Sequence, residues 1–105
     1  KIESIEQKGG MGSVDVANVL CTRPETVSWW SQGEAFPRGD TARTLLDLEY
    51  IVDQLSDFYE PLDARLWLYS RQRLLDDESP ATLIQLGNAQ AVIQILDELR
   101  DSIFL

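Results

Sequence analysis

The sequence predicts an all-α fold, a compact helical bundle the size of one domain. Three observations lead there. Nearly every periodic segment repeats its apolar residues at helical spacing, and none alternates convincingly as a strand. Prolines stand where helices would open (Pro24, Pro61, Pro80), and glycines where they would close (Gly33, Gly87). The 105 residues are 44% hydrophobic, with three each of Trp, Tyr and Phe. That content supports a real core and excludes a disordered chain.

Taken in order, residues 1–12 end in Gly9-Gly10-Met11-Gly12 and read as a flexible lead-in, with room for a short helix over 2–7. Ser13 is placed to cap a helix to about Leu20, with Val16, Ala17 and Leu20 inward. Thr22 stands three residues before Glu25, a capping-box spacing, and Pro24 falls in the first turn of a helix over 23–32. Val27 and Trp30 lie on one face of it; Gly33 ends it and Pro37 stops any continuation. Asp40 is expected to cap a long helix to about Tyr59, with Leu45, Leu48, Val52, Leu55 and Tyr59 as its stripe and Ile51 and Phe58 beside it. Pro61 opens another helix, where Leu62, Leu66 and Tyr69 recur at helical spacing and Trp67 and Leu68 widen the face. Asp76-Asp77-Glu78 is a loop. Ser79-Pro80 starts a short helix that Gly87 ends. Asn88 caps the last helix, with Val92, Ile93, Leu96 and Leu99 buried, and residues 101–105 remain as a tail.

Charge and missing residue types narrow the function. The net charge is −9. Residues 1–43 carry five basic against six acidic side chains; residues 44–105 carry four arginines against twelve acids. The second part would be repelled by phosphate and suits a basic protein partner, although solubility alone also accounts for it. There is no histidine. That removes the imidazole base, the imidazole metal ligand and the Ser-His or Cys-His pair. The glycine run 9–12 lacks the lysine and preceding strand of a phosphate loop. Asp76-Asp77-Glu78 lacks calcium-loop spacing and reads as a solvated acidic loop. Cys21 reads as a small packed residue in a turn. The reading is therefore not an enzyme, with no cofactor and no metal. No run of about 18 apolar residues is present, nor an apolar stretch of signal-peptide length at the start. One cysteine fits a reducing compartment, so a cytoplasmic location is expected.

The helices over 13–20 and 23–32 with their tight turn resemble a helix-turn-helix of the Cro/repressor type. On that pattern Val27 and Trp30 are structural. Pro24, Glu25 and Trp29 would face the groove, with Thr26 and Gln32 near phosphate. Arg23, Arg38 and Arg43 are the phosphate contacts on offer. The candidate DNA-binding set is thus Arg23, Thr26, Trp29, Gln32, Arg38 and Arg43. It is a poor reading set, because base recognition favours Arg, Lys, Asn or Gln facing the bases.

The run Trp67-Leu68-Tyr69-Ser70-Arg71-Gln72, then Pro80, Leu83-Ile84, Gly87, Val92 and Leu96, resembles the toxin-binding domain of Xre/MbcA/ParS-type antitoxins. With the helix-turn-helix, the resemblance covers roughly residues 14–105. One departure is Arg71-Gln72 in place of the usual Pro-Asn. The resemblance implies three regions: lead-in 1–12, helix-turn-helix region 13–43, and helical toxin-binding domain with C-terminal tail 44–105. It implies an antitoxin of a type II toxin–antitoxin system, partnered by a RES-domain toxin that consumes NAD, whose active site the antitoxin's C-terminal segment occludes. It further implies a homodimer within a larger toxin–antitoxin complex, and autorepression of the operon through operator DNA.

The residues at the tail agree with that picture. Ile103-Phe104-Leu105 with a terminal carboxylate makes a plug for a basic, nucleotide-binding cleft; folding back on its own core is the alternative. The expected toxin-binding residues are Arg100, Asp101, Ser102, Ile103, Phe104 and Leu105. The competing reading is a helix-turn-helix transcriptional regulator without a toxin partner.

Overall fold

The computed structural model describes residues 2–104, with side chains through Ser102. Among these residues there are seven α-helices and no strand: α1 (Ile2–Gly9), α2 (Ser13–Val19), α3 (Pro24–Ser31), α4 (Gly39–Leu55), α5 (Pro61–Tyr69), α6 (Pro80–Gln85) and α7 (Ala89–Phe104). A single 3-10 turn, Arg73–Leu75, lies between α5 and α6. The all-α expectation holds.

The long helices α4 and α7 pair at the centre. Helix α1 packs on α4 and α5, α2 on α3 and α6, and α6 on α5 and α7. Every helix feeds one continuous core: Ile5, Val16, Val27, Leu48, Leu68, Ile84 and Val92, one from each, are all at most 1% exposed. No polar or charged side chain is buried among the described residues. Association of amphipathic faces thus holds the bundle together.

The segment expected as a lead-in is part of the packed body. Ile2, Ile5 and Gly9 of α1 are buried against the rest. Glycine makes the fit possible. A Cβ on Gly9 would come within 3.0 Å of Val52, and one on Gly10, at φ +63°, within 2.6 Å of the Pro61 carbonyl oxygen. The glycine run is a close approach of α1 to α4 and α5.

Several expected caps shift. Gly12, not Ser13, precedes α2, and Arg38, not Asp40, precedes α4. The Thr22–Glu25 capping box does not form; Arg23 holds the cap position of α3 with no side-chain bond. The reason is that Thr22 still belongs to the end of α2. Its N–H donates to the Ala17 carbonyl (2.9 Å) while Cys21 N–H donates to Asn18 (3.3 Å), closing a Schellman motif. Cys21 therefore takes the left-handed position (φ 57°) that glycine usually fills, and it is exposed rather than packed. Gly33 and Gly87 close α3 and α6 with the same pair of bonds. Ser79 caps α6 as expected, its hydroxyl accepting from the Thr82 N–H at 3.1 Å.

Helix α4 stops at Leu55, four residues short of Tyr59. The Ser56 hydroxyl donates to the Asp53 carbonyl (2.6 Å), and the Phe58 and Tyr59 N–H groups both turn back to Leu55. At the other end of the chain, residues 101–104 continue α7 rather than forming a separate tail. No glycine or proline interrupts that stretch.

Candidate functional site

Helices α2 and α3 are joined by a tight turn over residues 20–23, where the helix-turn-helix is expected. Val27 is buried and Trp30 half-buried against the core, as their spacing requires. Arg23, Trp29 and Gln32 are exposed and Thr26 is half-buried along or at the ends of α3; Arg38 and Arg43 are exposed at the start of α4. None of the three arginines has an acid within 4 Å among the described residues. Glu25 is exposed, and the capping contact that would have folded it back is missing. Between these elements runs an apolar groove of about 470 Å³, lined by Trp30, Phe36, Pro37, Leu45 and Leu46, with Phe36 76% exposed at its edge.

A polar joint fastens this region to the rest. The Asp15 carboxylate accepts from the Gly12 N–H (3.0 Å), the Tyr69 hydroxyl (3.2 Å) and the Arg65 guanidinium. Partial burial alone would raise the Asp15 pKa; Arg65, the Gly12 N–H and Tyr69 outweigh it and hold the carboxyl below its usual range. The same joint pushes Tyr69 up to about 12, through burial first and then the Asp15 charge. Arg65 also stacks 4.9 Å over the Tyr69 ring.

The carboxyl end of α7 carries the expected toxin-binding residues. Leu96 is the last buried residue described there; Asp97, Glu98, Leu99, Asp101 and Ser102 are all exposed. Leu99, expected in the core, is 39% exposed, and Ile95 is buried instead. Arg100 is tethered: it pairs with Asp57 at 2.5 Å and lies 5.5 Å over the Phe58 ring. That contact sets the α7 tip against the turn after α4. The backbone of Ile103 and Phe104 is helical; their side chains, and Leu105, lie outside the described residues. Among the described residues no group of three or more His, Cys, Asp or Glu is arranged to hold a metal. No helix is long and apolar enough to cross a membrane.

The largest departure lies on α5. Its inward residues are Ala64 and Leu68. The stripe expected to face the core points out, with Leu62 78%, Leu66 65% and Tyr69 41% exposed. Beside it, Tyr59, Asp63, Leu66, Trp67, Ser70 and Gln72 line a groove of about 270 Å³. Gln72, at the departure from Pro-Asn, closes this corner: its Nε2 donates to the Trp67 carbonyl (3.2 Å) and its N–H to Glu78 (3.0 Å). Sequence reasoning missed the exposed stripe. Its one signal is that α5 is apolar on both sides, through Ala64 and Leu68 on one and Leu62 and Leu66 on the other.

The arrangement defines an all-helical module with exposed acids near the carboxyl end of α7 and an exposed apolar row on α5, the surface of a protein that binds a partner. No family model matches the chain. It is 30% identical over 97 residues to a probable mycobacterial cidal antitoxin of Mycobacterium tuberculosis, covering 91% of this chain and 82% of that protein. It is 27% identical over 96 residues to the mycobacterial cidal antitoxin MbcA of the same organism, covering 91% and 85%. Its fold matches a chain of the crystal structure of the M. tuberculosis MbcT–MbcA toxin–antitoxin complex, with a TM-score of 0.85 and 25% identity over 99% of this chain and 94% of that one. The chain belongs to the mycobacterial cidal antitoxin family, the MbcA type.

Proposed function

We propose that this protein is an antitoxin that binds a cognate RES-domain, NAD-consuming toxin and blocks its active site with residues 100–105, in the cytoplasm. The observation that carries the reading is the match of nearly the whole chain to a fold found in a toxin–antitoxin complex. The geometry supports the mode of action. Among the described residues Leu96 is the last buried one of α7; beyond it Arg100 is half-buried against Phe58, and Asp97, Glu98 and Asp101 are exposed, which makes this end acidic. Such an end complements a basic nucleotide-binding cleft, and Arg100 holds the tip in a set direction through Asp57. The test is to coexpress the chain with its cognate toxin in growing cells. Removal of residues 102–105 abolishes protection while circular dichroism and the unfolding midpoint stay near those of the whole chain. Full protection by the shortened chain refutes occlusion by this segment.

Operon autorepression is the second part of the proposal, and the unpaired Arg23, Arg38 and Arg43 favour it. The candidate contacts Thr26, Trp29 and Gln32 lie with them. About three phosphate contacts per copy bind weakly, and pairing of two copies doubles them. The apolar groove at Phe36 supports such a homodimer, assembled within a larger toxin–antitoxin complex. Gel-shift titration on the upstream operator is the check. Replacing Arg38 and Arg43 by Ala should reduce the salt slope of binding by about 2 per copy. A slope that does not change removes those residues from the interface. Tight, specific binding by a protein with no toxin partner would favour a plain transcriptional regulator instead.

A further inference from the structure

Helix α5 poses a physical question. Ala64 and Leu68 fill its inner side, yet Leu62 and Leu66 stand in water at 78% and 65% exposure. A helix apolar on both sides is normally covered on both. Leu62, Leu66 and Tyr69 are spaced i, i+4, i+7, so they form a single row about 10 Å long. Tyr59, 40% exposed, extends the row toward the turn after α4, and the groove at Trp67 runs beside it.

We infer that this outer row of α5 is a docking surface for the cognate toxin, separate from the α7 tip; the inference rests on the antitoxin reading above. Charge selects the occupant. Glu60 precedes the row and Asp63 flanks it; Arg65 on the other side is already paired with Asp15 and stacked on Tyr69, and residues 44–105 as a whole carry twelve acids against four arginines. A second copy would bring the same acids face to face, and anionic lipid and nucleic acid would be repelled. A protein surface with an apolar centre and a basic rim is attracted. Position fits as well. Arg100 pins the α7 tip to Asp57 and Phe58, immediately before Tyr59 and the start of α5. One partner can therefore cover the row and meet the tip together. The division of labour is that α5 supplies the binding and the tip supplies the blockage.

The experiment uses the whole chain and, as probe, the toxin encoded by the adjacent reading frame, purified by coexpression and separated. Binding is measured by calorimetry for the wild type, the double variant Leu62→Glu/Leu66→Glu, and the chain lacking residues 102–105. Both leucines are exposed, so the double variant keeps its helical signal and unfolding midpoint; Leu62→Ser/Leu66→Ser serves if it does not. The expected result is a loss of about 100-fold or more in affinity for the double variant, with most of the affinity retained by the shortened chain. Wild-type binding with an unchanged double variant overturns the assignment of α5 and leaves the antitoxin reading standing. Failure of the wild type to bind the toxin at all overturns both. A wild-type dimer that the double variant converts to monomer, or wild-type binding to phosphatidylserine vesicles that the variant loses, overturns it in favour of those occupants.

Discussion

Replacing Asp15 by Asn tests whether the joint between α2 and α5 is a charged anchor. The side chain is half-buried and sits in the first turn of α2, where a negative charge meets the helix dipole. The substitution keeps the shape and removes the charge from three hydrogen bonds, to Gly12, Tyr69 and Arg65. The bond to the Gly12 N–H is of the helix-start type, and its weakening costs on the order of 1 kcal/mol. The Arg65 side chain is 40% exposed, so the ion pair is discounted to a few tenths, about 0.5 kcal/mol. The total is about 1–2 kcal/mol, or a fall in unfolding midpoint of about 5–10 °C for a domain this size.

The pH dependence has a definite sign. The folded carboxyl titrates below its ordinary value, so its contribution is complete above the unfolded value of 3.8 and is lost as pH falls through the folded value. Urea unfolding of wild type and Asp15→Asn at pH 7 and at pH 3 is the assay. The two midpoints should be clearly separated at pH 7 and converge toward pH 3. Coincident midpoints at pH 7, or a separation that persists undiminished at the acid end, would refute the reasoning.

Three further perturbations read other parts of the structure. Cys21→Gly relieves a left-handed residue at the close of α2 and should stabilise the protein by about 1 kcal/mol, seen as a higher urea midpoint; no gain would mean that the turn is unstrained. Gly10→Ala pairs a positive φ with a backbone oxygen 2.6 Å from the new Cβ, so it should destabilise by about 2 kcal/mol or more. A silent Gly10→Ala in thermal unfolding would contradict the close approach of α1 to α5. Arg100→Ala and Asp57→Ala should each change stability by no more than about 1 kcal/mol, since Asp57 is well exposed. They should weaken protection against the toxin alike, with the double variant no worse than either. An effect of Arg100→Ala alone would make Arg100 a direct toxin contact and not a positioning residue.

The helical class, most helix starts and the glycine stops of α3 and α6 are legible in the chain alone, whereas the stops of α4 and α7 are not. The legible features are decided locally: Pro24, Pro61 and Pro80 preset the first turn, Gly33 and Gly87 accept the left-handed closing position, and the Ser79 hydroxyl reaches the Thr82 N–H only three residues on. The inward faces of α2 and α4 were also legible, since only one side of each is rich in large apolar residues. The tertiary structure alone decided the rest. Leu62, Leu66 and Tyr69 have the spacing of a core stripe, and periodicity reports a direction around a helix without saying where the neighbours are. Gly10 allows α1 to meet the Pro61 carbonyl, Ala64 and Leu68 go inward, and the larger stripe is left outside. Likewise the place of Arg100 depends on Asp57, forty-three positions away, which chain spacing does not encode. The physical reason is the same in both cases. Caps and turns are contacts between near neighbours in the chain, whereas a binding face is defined by which elements fail to cover it.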